Sequence, residues 1–330
     1  MLGASIQQRL PERRLHMSLQ THQPGPVPLT ARVLFLGDSV TDNGLYIAYL
    51  EAYFRHGQPK PGLELIPLGV SSETASGLSE KRHPFSRPCV HDRVENALEI
   101  TKPDWVVCCY GMNDGIYHPL SEERFQAYKT GMLALLKTIK AAGAKPVVLT
   151  PPPFDAASFA FPPPGIGEDG KPDYSYLSPH REYDHVLGAY AHWLLSDPPP
   201  EAEGVIDIRT PLLQATASRR AQQPGYSSGD GIHPNAFGHG VMARTLLAEL
   251  FGEDVTGMPD LAAALENWAG LPLVLQRHRI LADAWKEHVG HTHPVKAADA
   301  LPLEEALAAA RRLEREIALI DERKSEERSL

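Results

Sequence analysis

The stretch VLFLGDSVTDNG, Val33 to Gly44, decides how the rest of the chain is read. Its apolar residues run without strict alternation and stop at Gly37-Asp38-Ser39. Such a run suits a strand buried on both faces of a parallel sheet. A glycine, an acid and a hydroxyl at its end read as a sharp turn. That turn has three possible uses: a plain strand-to-helix connection, a phosphate cradle, or a nucleophile held up to a substrate. The remaining sequence has to choose between them.

Outward from this stretch, five short apolar runs recur: RVLFLG (32–37), LELIPLGV (63–70), WVVCCYG (105–111), KPVVLTPP (145–152) and GVIDIR (204–209). Helical patterns lie between them. LYIAYLEAYFRHG follows the first run and HDRVENALEITK precedes the third. ERFQAYKTGMLALLKTIKAAGA precedes the fourth, with Gly143 as its C-terminal cap, and SPHREYDHVLGAYAHWLLSD precedes the fifth. Alternating strands and helices predict an α/β protein of three layers, α/β/α. With right-handed crossovers the sheet is doubly wound, five-stranded, parallel and flavodoxin-like. Cys108 and Cys109 are adjacent in the third run, so on a strand they face opposite ways. With Cys89 they form no disulfide framework or zinc spacing, and read as small buried hydrophobes in a reducing compartment.

Composition narrows the function. The chain has 330 residues, 42% of them apolar, and a formal net charge of −9, which argues against nucleic acid or anionic membrane as a partner. No window approaches the roughly 18 apolar residues of a membrane span. The basic N-terminal stretch is not followed by an apolar run, so it does not read as a secretory signal and the expected location is cytoplasmic. Residues 1–28 read as a flexible lead-in, 29–255 as the main domain and 256–330 as a helical C-terminal extension.

Small polar groups gather where the strands end, the edge at which doubly wound sheets bind ligands. Gly37-Asp38-Ser39 follows the first run, GVSSETASGL the second, Gly111-Met112-Asn113-Asp114 the third, and SSGDGIHPNAFGHG comes after the fifth. A serine hydroxyl is a poor nucleophile at neutral pH and needs a base, which in turn needs an orienting carboxylate. Ser39 is the candidate nucleophile. Asp230 and His233, three residues apart on one loop, are the candidate pair. The Asn113 amide and the N–H groups of Ser39 and the SSET turn are candidate oxyanion donors.

GDSVTD, GMND and DGIH resemble the first, third and fifth sequence blocks of the SGNH, or GDSL-type, hydrolases, over roughly residues 31–252. The resemblance implies the SGNH hydrolase fold, Ser39 as nucleophile, Asp230 and His233 as its triad partners, and Asn113 as an oxyanion donor. The family's second block usually has a glycine in its turn. Aligned on S-G-x-T, that glycine falls at Ser72; an alternative alignment gives the role to Gly77. A Gly-to-Ser change keeps the N–H but is strained if the turn needs a positive φ.

Other readings are less specific. Asp38 reads as a turn-former, Asp42 and Asn43 as capping or turn residues before the next helix, and Asp114 as a residue that fixes its loop. The segment 80–93 is either a solvated loop or a substrate contact through Arg87 or Arg93. The Pro-rich segment 151–178 is a candidate wall or lid, with Phe154 and Tyr117 as candidate pocket-lining residues. His288, His291 and His293 lack the partner spacing of common zinc sites, so neither metal nor cofactor is expected. Leu303, Leu307, Ala310, Leu313, Ile317 and Ile320 form an amphipathic stripe. It either packs back on the main domain or makes a homodimer. The reading that unites these points is a serine esterase acting on short-chain esters, among them acetyl groups on carbohydrates. A catalytically silent carbohydrate-binding or scaffold protein on the same fold is the alternative.

Overall fold

A computed structural model describes residues 23–57 and 62–327, with side chains to residue 320. Of the lead-in read over 1–28, residues 1–22 lie outside the described residues. Five strands form one parallel sheet: β1 (Arg32–Gly37), β2 (Glu64–Gly69), β3 (Trp105–Cys109), β4 (Lys145–Leu149) and β7 (Gly204–Ile206), in the order β2-β1-β3-β4-β7. The order reverses at β1, which is the doubly wound, flavodoxin-like arrangement. Two short strands, β5 (Gly165–Ile166) and β6 (Pro172–Asp173), make a separate hairpin within the Pro-rich segment.

Both faces of the sheet are covered, which explains the unbroken apolar runs. On one face, Leu34, Leu36 and Cys108 pack with residues of α3 (Val94–Thr101), α4 (Glu122–Ala141) and α5 (Tyr183–Ser196). On the other, Val33, Phe35 and Cys109 pack with α2 (Leu45–Gly57), α6 (Arg209–Gln222) and α7 (Ala236–Glu249). The adjacent cysteines thus serve opposite cores. Gly143, at φ 86°, ends α4 as the sequence suggests.

The C-terminal extension adds α8 (Leu261–Glu266), α9 (Leu271–Val289) and α10 (Leu303–Glu327). It completes the same two cores: Leu281 and Trp285 join one, and Leu265, Trp268 and Ile317 the other. The stripe on α10 is spent inside the chain, because Ala310, Leu313 and Ile317 are buried and the helix packs on α9.

Register sets up the site. Gly37 of β1 pairs with Gly69 of β2 and with Cys109 of β3, so the loops leaving these strands start side by side. A short helix, α1 (Ser39–Asn43), then turns directly over the end of β2. The approach is so close that a Cβ on Gly69 would lie 2.0 Å from the Asp42 nitrogen.

Candidate active site

Ser39 is the first residue of α1. Asp38 caps that helix, its carboxylate accepting from the Val40 N–H at 3.0 Å. This is the turn-forming role read from the sequence. Burial pushes the Asp38 carboxyl up to about 7, although the Val40 N–H and the charge of His233 pull it down.

Ser39, His233 and Asp230 are brought together from 194 residues apart in sequence. The Ser39 Oγ lies 2.8 Å from His233 Nε2, and His233 Nδ1 lies 2.7 Å from Asp230 Oδ2. The carboxylate fixes the tautomer: Nδ1 donates to Asp230 and Nε2 is left to accept from the serine. Asp230 Oδ1 also accepts from the backbone N–H groups of Ile232 at 2.9 Å and His233 at 2.7 Å. Partial burial alone would raise the Asp230 pKa, but the hydrogen bonds and charge of His233 and these N–H groups bring it down to about 2. Burial likewise works to lower His233. The bond to Asp230 and the charges of Asp230 and Asp38 outweigh it and hold His233 above the ordinary imidazole value.

The other candidate oxyanion donors come from the loops that leave β2 and β3, which start beside the end of β1. Ser72 has φ 65°, the left-handed region in which a glycine is at ease. Among the described residues no acceptor takes its N–H. Gly77, also left-handed at φ 72°, donates its N–H to Thr74 Oγ1 at 3.2 Å. The geometry therefore favours Ser72 over Gly77. Asn113 is buried and held at both ends of its amide: Nδ2 donates to the Glu73 carbonyl at 3.1 Å, and Oδ1 accepts from the Tyr117 hydroxyl at 3.0 Å. The amide nitrogen carries two hydrogens, so one is left for an acceptor in the site. Asp114 fixes its loop by accepting from Ala75 at 2.9 Å and Ser76 at 2.7 Å.

Several readings change. Arg87 does not sit in a solvated loop. It is buried, forms a two-pronged pair with Glu80 at 2.6 and 2.7 Å, donates to the Ser72 carbonyl at 3.2 Å and lies over the Tyr117 ring. Arg93 is also buried, paired with Glu73 at 2.6 Å. Both arginines brace the oxyanion-side turn. Tyr117 is a brace for Asn113 and not an open wall. Asp42 does not cap the following helix; its carboxylate accepts from Ser71 Oγ and Lys286 Nζ, each at 2.6 Å. Asn43 does act locally, accepting from the Leu45 N–H at 3.3 Å. The roles of Glu73, Asp42 and Ser71 were missed because each depends on a partner far away in sequence. Tyr117 is only four residues from Asn113, but a tyrosine after a turn gives no sign that its hydroxyl faces back onto it.

Phe154 is buried with Phe159, Phe161 and Tyr183. It also borders a cavity of about 450 Å³ whose wall includes His233, Leu212, Phe237 and Val241. The C-terminal histidines are engaged otherwise: His291 bonds to Glu287 at 3.1 Å, and His293 packs on Phe85. Among the described residues no group of three or more His, Cys, Asp or Glu side chains is placed to hold a metal. Among them, too, no helix is long and apolar enough to cross a membrane.

A serine on the first turn after β1, paired with a histidine and an aspartate from a distant loop on a doubly wound sheet, marks a serine hydrolase type of site. Residues 35–241 match the GDSL-like Lipase/Acylhydrolase family, and the chain belongs to that family. Its doubly wound α/β sheet is that of the SGNH, or GDSL-type, hydrolases. No curated protein matches the chain. Among solved structures it is similar to a gut microbial diltiazem-metabolizing enzyme, with 17% identity and a TM-score of 0.54, over 70% of this chain and 49% of that one. The chain thus spans about half the length of that relative. It is also similar to Axe2, an acetylxylan esterase from Geobacillus stearothermophilus, with 20% identity and a TM-score of 0.47, over 70% of this chain and 97% of that one.

Proposed function

We propose that the protein hydrolyses short-chain carboxylic esters through an acyl-enzyme on Ser39. The single observation that carries this reading is the continuous relay Ser39–His233–Asp230, with contacts of 2.8 and 2.7 Å. His233 takes the Ser39 proton as Oγ attacks the carbonyl, and Asp230 stabilises the imidazolium that forms. The oxyanion is met by the N–H groups of Ser39 and Ser72 and by the free Asn113 hydrogen. His233 then gives its proton to the departing alcohol, and in the second half-reaction activates the water that frees the acid. None of these steps calls for a metal or cofactor.

The two sides of Ser39 suggest the substrate class. On the oxyanion side Tyr117, Asn113 and Arg87 are all buried and tied to one another or to their neighbours, which favours a small acyl group over a long one. On the other side the alcohol must lie next to His233, because that residue protonates it. His233 forms part of the wall of the 450 Å³ cavity, which is large enough for a sugar ring and mixes Phe237 and Tyr226 with Asp155 and Arg220. A small acyl group on a bulky, polar alcohol fits both sides, as in an acetylated carbohydrate. The three unpaired cysteines suit a reducing compartment such as the cytoplasm.

The test is hydrolysis of p-nitrophenyl acetate through octanoate by the wild type and Ser39→Ala. The wild type should prefer acetate, and Ser39→Ala should lose at least about a thousandfold in kcat. The wild-type rate should climb with pH along a limb centred above the ordinary imidazole pKa of about 6.5. A rate unchanged by Ser39→Ala, or flat from about pH 5 to 8, sinks this mechanism. An inert wild type whose Ser39 also resists a fluorophosphonate favours the silent binding protein instead.

A further inference from the structure

The C-terminal extension reaches the candidate active site through one side chain. α9 packs along β2, the strand at the open edge of the sheet, and so covers an edge that would otherwise be unpaired. From the last turn of α9, Lys286 points its ammonium at the nucleophile's helix. Its Nζ is 2.6 Å from Asp42 Oδ1, and both side chains are largely buried. Asp283, the other nearby acid, stands 3.7 Å from that nitrogen and is itself paired with Arg279.

Asp42 is a junction. It lies on α1, which begins at Ser39, and its second oxygen accepts from Ser71 Oγ at 2.6 Å. Ser71 immediately precedes Ser72, and the peptide between them carries the Ser72 N–H. That peptide is held on one side by Asp42 through Ser71. On the other side the Ser72 carbonyl is held by Arg87 at 3.2 Å. A left-handed serine is uphill by itself and persists only where its surroundings impose it. The carboxylate that holds the neighbouring Ser71 has Lys286 as its counter-charge.

We propose that Lys286 is a positioning residue for ester hydrolysis: by fixing Asp42 it holds Ser71, and through it the Ser72 N–H, in register with Ser39 Oγ. The proposal rests on the reading of Ser39 and Ser72 given above. It adds that the extension, which lies outside the family's matched residues 35–241, is part of the active-site architecture.

The test uses the full chain with Lys286→Met, Lys286→Arg, Ser71→Ala, the pair Ser71→Ala/Lys286→Met, and Ser39→Ala. The readouts are kcat and KM on p-nitrophenyl acetate, the rate of Ser39 labelling by a fluorophosphonate, and a thermal melt. Lys286→Met and Ser71→Ala should each lower kcat and the labelling rate about tenfold, with KM within about twofold. The pair should be no slower than Ser71→Ala alone, because both act through one contact. Lys286→Arg should recover most of the loss. A lower melting temperature with kcat unchanged marks Lys286 as a tie between elements only and overturns the proposal. Losses that multiply in the pair overturn it too. Should Lys286→Met fail to fold, Ser71→Ala decides, since it leaves no charge unpaired, and an unchanged kcat there is equally fatal. If Ser39→Ala keeps the wild-type rate, the nucleophile is wrong and the proposal falls with it. If Ser39→Ala is inert and Lys286→Met unimpaired, only the positioning role fails.

Discussion

Ser72 is held at φ 65°, where its Cβ crowds the backbone as a glycine would not. A non-glycine residue there costs about 1 kcal/mol, partly offset because serine has less backbone freedom to lose on folding. Ser72→Gly should therefore stabilise the protein by up to roughly 0.5 kcal/mol in a urea melt. The N–H is kept, so kcat on p-nitrophenyl acetate should stay within about threefold. A less stable Ser72→Gly would mean that the serine side chain contributes more than its strain costs. Tyr117 has the same left-handed backbone, φ 61°, and braces Asn113 from beneath. One strained residue is thus itself a candidate oxyanion donor and the other braces a second, as expected where geometry is set by function and not by local preference.

At the scale of elements, the loop that carries Asp230 and His233 is clamped to the segment after β4. The Asp155 N–H donates to the Gly231 carbonyl at 2.8 Å, and Arg220 and Ser228 both bond to the Asp155 carboxylate. Gly231, at φ 95°, sits so close that a Cβ would lie 2.8 Å from the Phe159 Cβ and 3.0 Å from the Asp155 carbonyl. Gly231→Ala should push the loop off this segment, lower kcat about tenfold or more, and lower the melting temperature. A folded Gly231→Ala with normal kcat would show that the loop moves without moving His233. The Pro-rich segment is in this sense a wall, as the sequence allowed. Strands, helices and the Ser–His–Asp set were legible because each is written locally, in apolar runs, periodicity and short motifs. The Arg87–Glu80 and Arg93–Glu73 pairs were not. An arginine in a Pro-rich loop reads as solvated until the fold supplies a buried carboxylate, and no spacing rule connects Arg93 to Glu73 across 20 residues. Asp42 misled for the same reason: beside a helix start it reads as a cap, yet its partners come from the loop after β2 and from α9.

Across the whole molecule, α7 and α9 are packed against the segment where α1 gives way to α2 by histidines that stay neutral. His278 of α9 is buried against Gly44, and among the described residues its Nε2 has no partner. His239 of α7 is buried against Tyr46, whose N–H it accepts at Nδ1 at 3.3 Å. Burial holds His278 down at about 4, with Arg277 and Arg279 assisting and Glu51 opposing, and holds His239 down at about 3. For a histidine lowered in this way, the folded state gains above the unfolded value of about 6.5 and loses that gain as pH falls below it. Asp38 works in reverse. Raised to about 7, it takes up its proton in the folded protein before the unfolded chain does, so it adds stability as pH falls. As pH falls from about 6.5 toward 5 the unfolded chain comes to bind two protons that the folded one refuses, while Asp38 in the folded one holds one that the unfolded chain lacks, and His233, raised in the folded state, opposes the loss at the upper end. The balance approaches one proton near pH 5, or up to about 1.4 kcal/mol of stability lost per pH unit there. His83, His118 and His291, lowered by partial burial, steepen the loss. Urea unfolding at pH 6.5 and 5 should show it, and Asp38→Asn, which removes the opposing group but can still cap α1, should roughly double the slope. A wild type that grows more stable at pH 5 would mean that proton uptake by Asp38 and His233 outweighs what His239 and His278 refuse, so that the packing of α7 and α9 does not depend on keeping these histidines neutral.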